Sequence, residues 1–443
     1  MARKLKTGEV QEAEILDLAH DGRGIARIDG KAVFVEGALP GERVKLRVLR
    51  RRRNLDEAGL VEVLRPSADR VVPRCAHFGV CGGCSLQHLA PAAQLAAKQR
   101  QLLENFERIG QVSPERVLPA VGGPIWGYRR RARLGIKFVY KKGRVLAGFR
   151  EREKPYLADI QSCEILSEPM ASLPRDLAAL VETLSIREDI AQVELAVGDH
   201  AGGPASAMVF RVLAPPSEAD LAQLEAYGAK VGAQIFLQSG GLDSVRALRA
   251  DYPPLRYQVT ATIDIEFGPL DFIQVNREIN LRLITAAKEL LDPGPADRLL
   301  DLFCGLGNFT LPLACHASEA IGVEGDLGLV AKARANGQRL GISNVSFQAD
   351  NLFDPAGCGE WALKRYDLVL MDPPRAGAIE ILGHMAHWRP RRVVYISCHP
   401  GSLARDAGIL VKTHGFRLAG AGVMDMFPHT AHVESIAVFE SQG

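Results

Sequence analysis

The stretch DRLLDLFCGLGNFTLPLA, residues 297–314, limits what this chain can fold into more than any other: an apolar run ends in Asp301, a tight turn carries Gly305 and Gly307, and an apolar helix follows. Strand, glycine turn and helix in that order open a βαβ unit, and the glycines let a ligand come close to the backbone. The next strand, EAIGVE, ends at Glu324, where a carboxylate can hold the two hydroxyls of a ribose. Thr310 stands where the third glycine of a dinucleotide fingerprint would be, which disfavours a pyrophosphate. A nucleoside carrying no phosphate, such as S-adenosylmethionine (AdoMet), suits the pattern better. Further strand ends, NVSFQADNLF and YDLVLMDPPRAG, add Asp350, Asn351 and Asp372. The C-terminal third thus predicts a parallel sheet with helices on both faces and its polar groups along the carboxyl edge.

VVYISCHPGSLARD supplies the next strand of that sheet and ends it at Ser397 and Cys398. A cysteine is most often a small buried hydrophobe. At this edge, however, the thiol would face a methyl donor. C5 of a pyrimidine is a poor nucleophile until a thiolate adds to C6, after which a base must remove the C5 proton so that the thiol can leave. Glu434, ahead of the last apolar strand in FPHTAHVESIAVFE, is the candidate base, with His429 and His432 as alternatives. An amino-methyltransferase is the competing chemistry. It would place an aromatic after D-P-P, where Arg375 stands, and would leave Cys398 without a role.

The first 65 residues carry short apolar runs broken by glycine and aspartate turns, the pattern of a five-stranded barrel. They end in five arginines among residues 47–53. The segment HDGRGIARIDGKAVFVEGALPGERVKLRV resembles the TRAM domain, an oligonucleotide-binding barrel. The net charge of +2 over 443 residues hides a second basic stretch, residues 126–154, with eleven Lys or Arg against two Glu and interleaved aromatics. That composition suits phosphate neutralisation and base stacking, and KFVYKKGRVLAGF within it reads as a hairpin. Eight cysteines are too few for a disulfide scaffold, so their spacing matters. Cys75, Cys81 and Cys84 form C-x5-C-x2-C in a glycine-rich loop, and thiolates so placed select zinc or an iron–sulfur cluster. His77 and His88 could complete a zinc site, but Cys163 in DIQSCEIL is the favoured fourth ligand. Residues 91–109 read as one amphipathic packing helix closed by Gly110. No catalytic constellation emerges between 167 and 258.

Taken together, the TRAM-like module, the C-x5-C-x2-C loop with its distant cysteine, FIQVN, DLFCGLGNFTLPLA, DPPRAG, ISCHPGSLARD and FPHTAHVE resemble the RNA uracil-5-methyltransferases over nearly the whole chain, and among them those acting on 23S ribosomal RNA. The resemblance implies Cys398 as nucleophile and Glu434 as base. It implies AdoMet contacts from Gln274, Phe303, Asn308, Glu324, Asn351 and Asp372, and a four-iron, four-sulfur ([4Fe-4S]) cluster on Cys75, Cys81, Cys84 and Cys163. One residue departs from the pattern, His399 where many relatives carry Asn. The expected architecture is α/β, with a TRAM (OB-like) barrel at 1–68, a central α+β domain with cluster and basic hairpin at 69–258, and a Rossmann-like AdoMet-dependent methyltransferase domain at 259–443. No apolar stretch is long enough to span a bilayer and no signal-peptide core is present, so a cytoplasmic, membrane-free monomer with 23S rRNA as its partner is expected. Another rRNA uridine, transfer RNA, or a non-catalytic role in ribosome assembly are the alternatives.

Overall fold

The computed structural model describes residues 7–199, 205–354 and 357–442. By packing, the chain forms two compact units. One takes in residues up to Gln101 together with Arg150–Ala158 and Phe427–His432; the other holds Leu102–Phe149, Asp159–Met426 and the chain from Val433.

The first unit is built on a closed barrel of β1 (Val10–Leu18), β2 (Gly24–Ile28), β3 (Lys31–Glu36), β4 (Arg43–Arg51) and β5 (Leu55–Arg65), in the order β1-β2-β3-β5-β4. Alternation drives closure: Val33 and Val35 of β3 and Val44, Leu46 and Val48 of β4 point inward and are fully buried, while Lys45 and Arg47 between the latter lie on the outer face. The five-stranded barrel is the one its turn spacing predicts. Beyond it, Glu42 accepts from the Leu39 N–H at 2.9 Å and from Arg70 Nη2 at 2.8 Å, tying residue 70 to the β3–β4 connection.

Helix α1 (Pro91–Asn105) loosens into a wider π turn at Phe106–Gly110, which packs on the C-terminal part of the second unit. That unit's first sheet contains β7 (Arg131–Val139), β8 (Arg144–Gly148), β9 (Ile190–Gly198), β10 (Ala205–Val212), β11 (Ala233–Gln238) and β12 (Val245–Ala247) in the order β12-β11-β10-β9-β7-β8. Helices α2 (Leu173–Glu182) and α3 (Glu218–Val231) pack on it. A hairpin of β13 (Leu255–Gln258) and β14 (Asp264–Phe267) follows.

The second sheet has eight strands: β15 (Arg298–Leu302), β16 (Glu319–Glu324), β17 (Val345–Ala349), β18 (Leu368–Met371), β19 (Arg392–Ser397), β20 (Phe416–Met424), β21 (Glu434–Ser441) and the two-residue β6 (Arg116–Val117). Their order is β17-β16-β15-β18-β19-β21-β20-β6, parallel from β17 to β19, with β21 antiparallel between β19 and β20. Helices α4 (Arg277–Leu291), α5 (Thr310–Ala314), α6 (Leu327–Arg339), α7 (Met385–Trp388) and α8 (Pro400–Lys412) link or cover the strands. Strand order reverses between β15 and β18, and open α/β sheets bind ligands in the crevice at such a point. β6, contributed from far upstream, has no periodic signal of its own. Among the described residues no helix is long and apolar enough to cross a membrane.

Candidate active site

Past β15 the chain turns sharply. Phe303 takes a left-handed φ of +63°, and Gly305 and Gly307 follow at +54° and +88°. The Gly305 N–H donates to Glu324 Oε2 at 3.1 Å and the Asp326 N–H to Oε1 at 3.1 Å, so the acidic end of β16 is anchored beside the turn. Thr310, in place of a third glycine, donates its hydroxyl to Asp301 Oδ2 at 2.5 Å. Asp301 is fully buried, its Oδ1 has no partner among the described residues, and burial pushes its carboxyl up to about 8.

The other expected contacts gather on the same edge. Gln274 donates its amide to Asp372 Oδ2 at 3.4 Å. Asn308 exchanges two 3.0 Å amide hydrogen bonds with Asn280 of α4. Exposed Asn351, just past β17, accepts from the Phe353 N–H at 3.1 Å. Phe353 brings its ring 5.7 Å from that of Phe303. That second aromatic was missed in the sequence, although it sits two residues after Asn351 in NLF and is a half-exposed aromatic at a strand end. Asp350 Oδ2 accepts from the Gly359 N–H at 2.7 Å and from the Trp361 indole at 2.8 Å.

Cys398 lies one residue past β19 and Glu434 opens β21. In the antiparallel register Ser397 is opposite Ser435, with the Ser435 hydroxyl donating to the Ser397 carbonyl at 3.1 Å; one step further sets Cys398 across from Glu434, on one face. Burial pushes the thiol up to about 11, helped by the carboxylates of Glu434 and Asp372 and opposed by Arg375. Glu434 is almost wholly buried, and burial, with the neighbouring charge of Asp372, holds it well above the usual carboxylate range. Asp372 keeps some surface toward the crevice, but protein crowds the carboxyl elsewhere and burial takes it to about 7. The Cys398 thiol, two raised carboxyls and a glycine turn therefore share one rim.

The alternative bases have other work. His429, with φ at +66°, is buried in the first unit, its N–H donating to Gln94 Oε1 at 2.8 Å and its carbonyl accepting from Ser85 and Leu86. His432 is exposed and lies against Phe427. His399 caps α8: its Nδ1 accepts the Ser402 N–H at 3.1 Å, the bond an Asn oxygen would accept at that position.

Two cations of the basic stretch turn inward. Its hairpin forms, β7 to β8, but Arg130 is 3% exposed and Arg131 is mostly covered. Both donate to backbone carbonyls at 270–274, so neither is available to phosphate. Arg133, Lys137, Lys141, Lys142, Arg144, Arg150 and Lys154 remain exposed. A run of cations is legible as charge, but whether each guanidinium turns outward depends on a neighbouring segment more than a hundred residues away.

None of the eight cysteines forms a disulfide. Cys75, Cys81 and Cys84 lie in the first unit on a loop closed by Phe78 N–H to Cys75 O and Cys81 N–H to His77 O; the Gly83 N–H points to Cys81 Sγ at 3.4 Å. Cys163 lies in the second unit. Among the described residues no group of three or more His, Cys, Asp or Glu side chains is gathered to hold a metal ion.

Strand order, glycine turn and acidic β16 end define the fold of an AdoMet-dependent methyltransferase. Residues 261–442 match the tRNA (Uracil-5-)-methyltransferase family and residues 4–61 the TRAM domain. The crystal structure of Pyrococcus abyssi tRNA (uracil-54, C5)-methyltransferase in complex with S-adenosyl-L-homocysteine has the same fold, with a TM-score of 0.73 and 23% identity over 97% of this chain and all of that one. The 23S rRNA (uracil(1939)-C(5))-methyltransferase RlmD of Xylella fastidiosa (strain 9a5c) is 50% identical over 97% of both chains. Its namesake from Stenotrophomonas maltophilia (strain K279a) is 49% identical over the same shares. The chain belongs to the RNA uracil-5-methyltransferase family.

Proposed function

We propose that this protein methylates C5 of a uridine in 23S ribosomal RNA, the one equivalent to the uracil 1939 named for its relatives, in the cytoplasm and as a monomer. The observation that carries the chemistry is the placement of Cys398 across from Glu434 at the switch-point edge of the sheet. Half identity along nearly the whole length of the relatives supports the substrate.

AdoMet fits the chain. Glu324 stands at the end of β16 for the ribose, Phe303 and Phe353 offer an aromatic flank for the adenine, and Gln274, Asn308, Asn351 and Asp372 supply polar contacts around it. The buried Asp301 Oδ1, without a partner among the described residues, leaves one unsatisfied polar group beside the glycine turn. When bound, AdoMet supplies an electrophilic methyl. Cys398 must lose its proton before it can attack, and the ionised form of Asp372, raised to about 7, is a suitable acceptor that leaves Glu434 free for the later step. The Cys398 sulfur bonds to C6 of uracil, electron density moves to C5, and C5 would take the methyl as its bond to the sulfonium sulfur breaks and S-adenosyl-L-homocysteine leaves. Glu434 then removes the C5 proton, the C6–S bond breaks, and Cys398 departs as thiolate. The high position of Glu434 makes it the stronger base for that step.

A [4Fe-4S] cluster on Cys75, Cys81, Cys84 and Cys163 belongs to the same proposal. What supports it is the chemistry of the donors, three thiols on one short loop in a C-x5-C-x2-C spacing, although among the described residues their side chains are not gathered as a metal site. Such a cluster would order the loop, since methyl transfer through a thiol adduct consumes no electron.

Incubating the Glu434→Gln variant with rRNA and labelled AdoMet tests the mechanism. Turnover is expected to fall about 10²–10⁴-fold, with a methylated RNA–protein adduct accumulating that Cys398→Ala cannot form. Free product at the normal rate from either variant would sink the reading.

A further inference from the structure

Residues 270–276, which carry Gln274, run between β14 and α4 without strand or helix pairing of their own apart from a single bridge at Asn276. Their buried carbonyls therefore need donors from elsewhere. Arg130 and Arg131 provide them. Arg130 Nε donates to Gln274 O at 2.9 Å and its backbone N–H to Val275 O at 2.9 Å. Arg131 Nη2 donates to Leu270 O at 2.6 Å, and its Nη1 to Asp271 O. The Arg130 guanidinium also lies 5.1 Å above the Tyr257 ring, and its Nη1 is 3.4 Å from Asp199 Oδ2. Asp199 is held in turn by the Gln258 N–H at 3.0 Å and by Arg277 Nε, 3.0 Å from its other oxygen. Asn276 caps α4 immediately after the segment.

We propose that Arg130 is a positioning residue: its buried fork fixes the Gln274 backbone, and so aims the Gln274 amide at Asp372 on the donor side of the site. The inference rests on the reading of Gln274 as an AdoMet contact. A guanidinium is needed because one rigid fork must reach a carbonyl and a carboxylate at once, which a single ammonium on a flexible stem does poorly. The same network ties the end of β9 to the catalytic rim, so that a residue in the basic stretch serves the methyl donor and not RNA.

The test is a double-mutant cycle of Arg130→Lys and Gln274→Ala, read by calorimetry with S-adenosyl-L-homocysteine and by filter binding with a 23S rRNA fragment. Each single variant is expected to weaken S-adenosyl-L-homocysteine by about tenfold or more, as small misplacements at an active site do. The double variant should add no more than about twofold to the larger single loss, because coupled residues are not additive. RNA affinity should not change. Additive losses, or weakened RNA binding with S-adenosyl-L-homocysteine binding intact, overturn the proposal. If Gln274→Ala weakens the ligand and Arg130→Lys does not, this inference alone fails; if Gln274→Ala has no effect, the underlying reading of Gln274 fails and takes the inference with it. Should Arg130→Lys not fold, Asp199→Asn enters the same cycle and the same outcomes decide.

Discussion

Cys398 is harder to ionise than an ordinary thiol, because burial comes first and the carboxylates of Glu434 and Asp372 add to it. A thiol in that state is protected from casual oxidation and alkylation, since the thiolate is the reactive form. In the proposed mechanism it becomes reactive when a substrate is present and a neighbouring carboxylate takes the proton. In the ligand-free protein, alkylation of Cys398 by iodoacetamide should therefore quicken about tenfold per unit from about pH 7 to about pH 10, following the thiolate fraction, and level off near 11. Glu434→Gln removes one opposing charge and should shift that curve toward lower pH. Mass-spectrometric quantification of the alkylated peptide measures both. A curve centred on the usual thiol value, or one unmoved by Glu434→Gln, would contradict the electrostatics. The neighbouring His399 shows how a departure from a family pattern can preserve its physics: Nδ1 accepts the Ser402 N–H, and the helix behind the nucleophile starts where it would with Asn.

Among the elements, β16 shows why the glycine turn stays in place. Gly322 sits in the centre of the strand, and a Cβ there would come within 2.6 Å of Phe347 Cδ1 and 2.9 Å of Cys304 Sγ. Phe347 belongs to β17 and Cys304 to the turn after β15, so the missing side chain lets the neighbouring strand and the turn close on β16. Gly322→Val should destabilise the protein by about 1–3 kcal/mol through overpacking and also weaken S-adenosyl-L-homocysteine binding, because the turn anchored to Glu324 must shift. Thermal melting and calorimetry report the two effects, and a variant as stable as the parent would refute the packing argument. The sequence showed this part of the fold clearly, because strand, glycines, acidic end and thiol are local signals with a fixed order. Three things it did not show all depend on partners distant along the chain. Arg130 looked like a phosphate binder until the carbonyls of residues 270–275 met it; β6 has only two residues and exists by pairing with β20; Asn308 spends its amide on Asn280 of α4. Phe353 was within reach of sequence reasoning and was overlooked for want of a periodic frame around it.

Across the whole molecule, the two units carry opposite kinds of buried carboxyl. Glu42 in the first unit has no exposed surface, though the protein layer over it is thin. Burial alone would raise it, but hydrogen bonds from Arg70 and from the Leu39 and Ser67 N–H groups outweigh that and hold it below its ordinary value. A depressed carboxyl stabilises the folded state above its unfolded value, near 4.5, and loses that contribution as pH falls through the lower folded value. In the second unit Asp301 is raised to about 8 and Asp372 to about 7, so the sign is reversed. Below about pH 4 both states of these groups are protonated; as pH climbs toward 8 the unfolded chain ionises while the fold keeps its protons, and stability declines. The second unit should therefore be more stable at pH 5.5 than at pH 8, while the first, where burial lowers the His88 imidazole to about 4, should lose stability as pH falls from 8 to 5.5 and weaken further in stronger acid. Hydrogen exchange resolved by peptide, read across that range on the ligand-free protein, separates the two. Asp301→Asn keeps the shape and removes the titration, so it should raise the melting temperature at pH 8 by a few degrees and flatten the dependence between pH 5.5 and 8. If the second unit is instead most stable at pH 8, Asp301 is ionised in the fold, and the unpartnered Oδ1 beside the glycine turn is a standing negative charge and not a protonated acid awaiting a ligand.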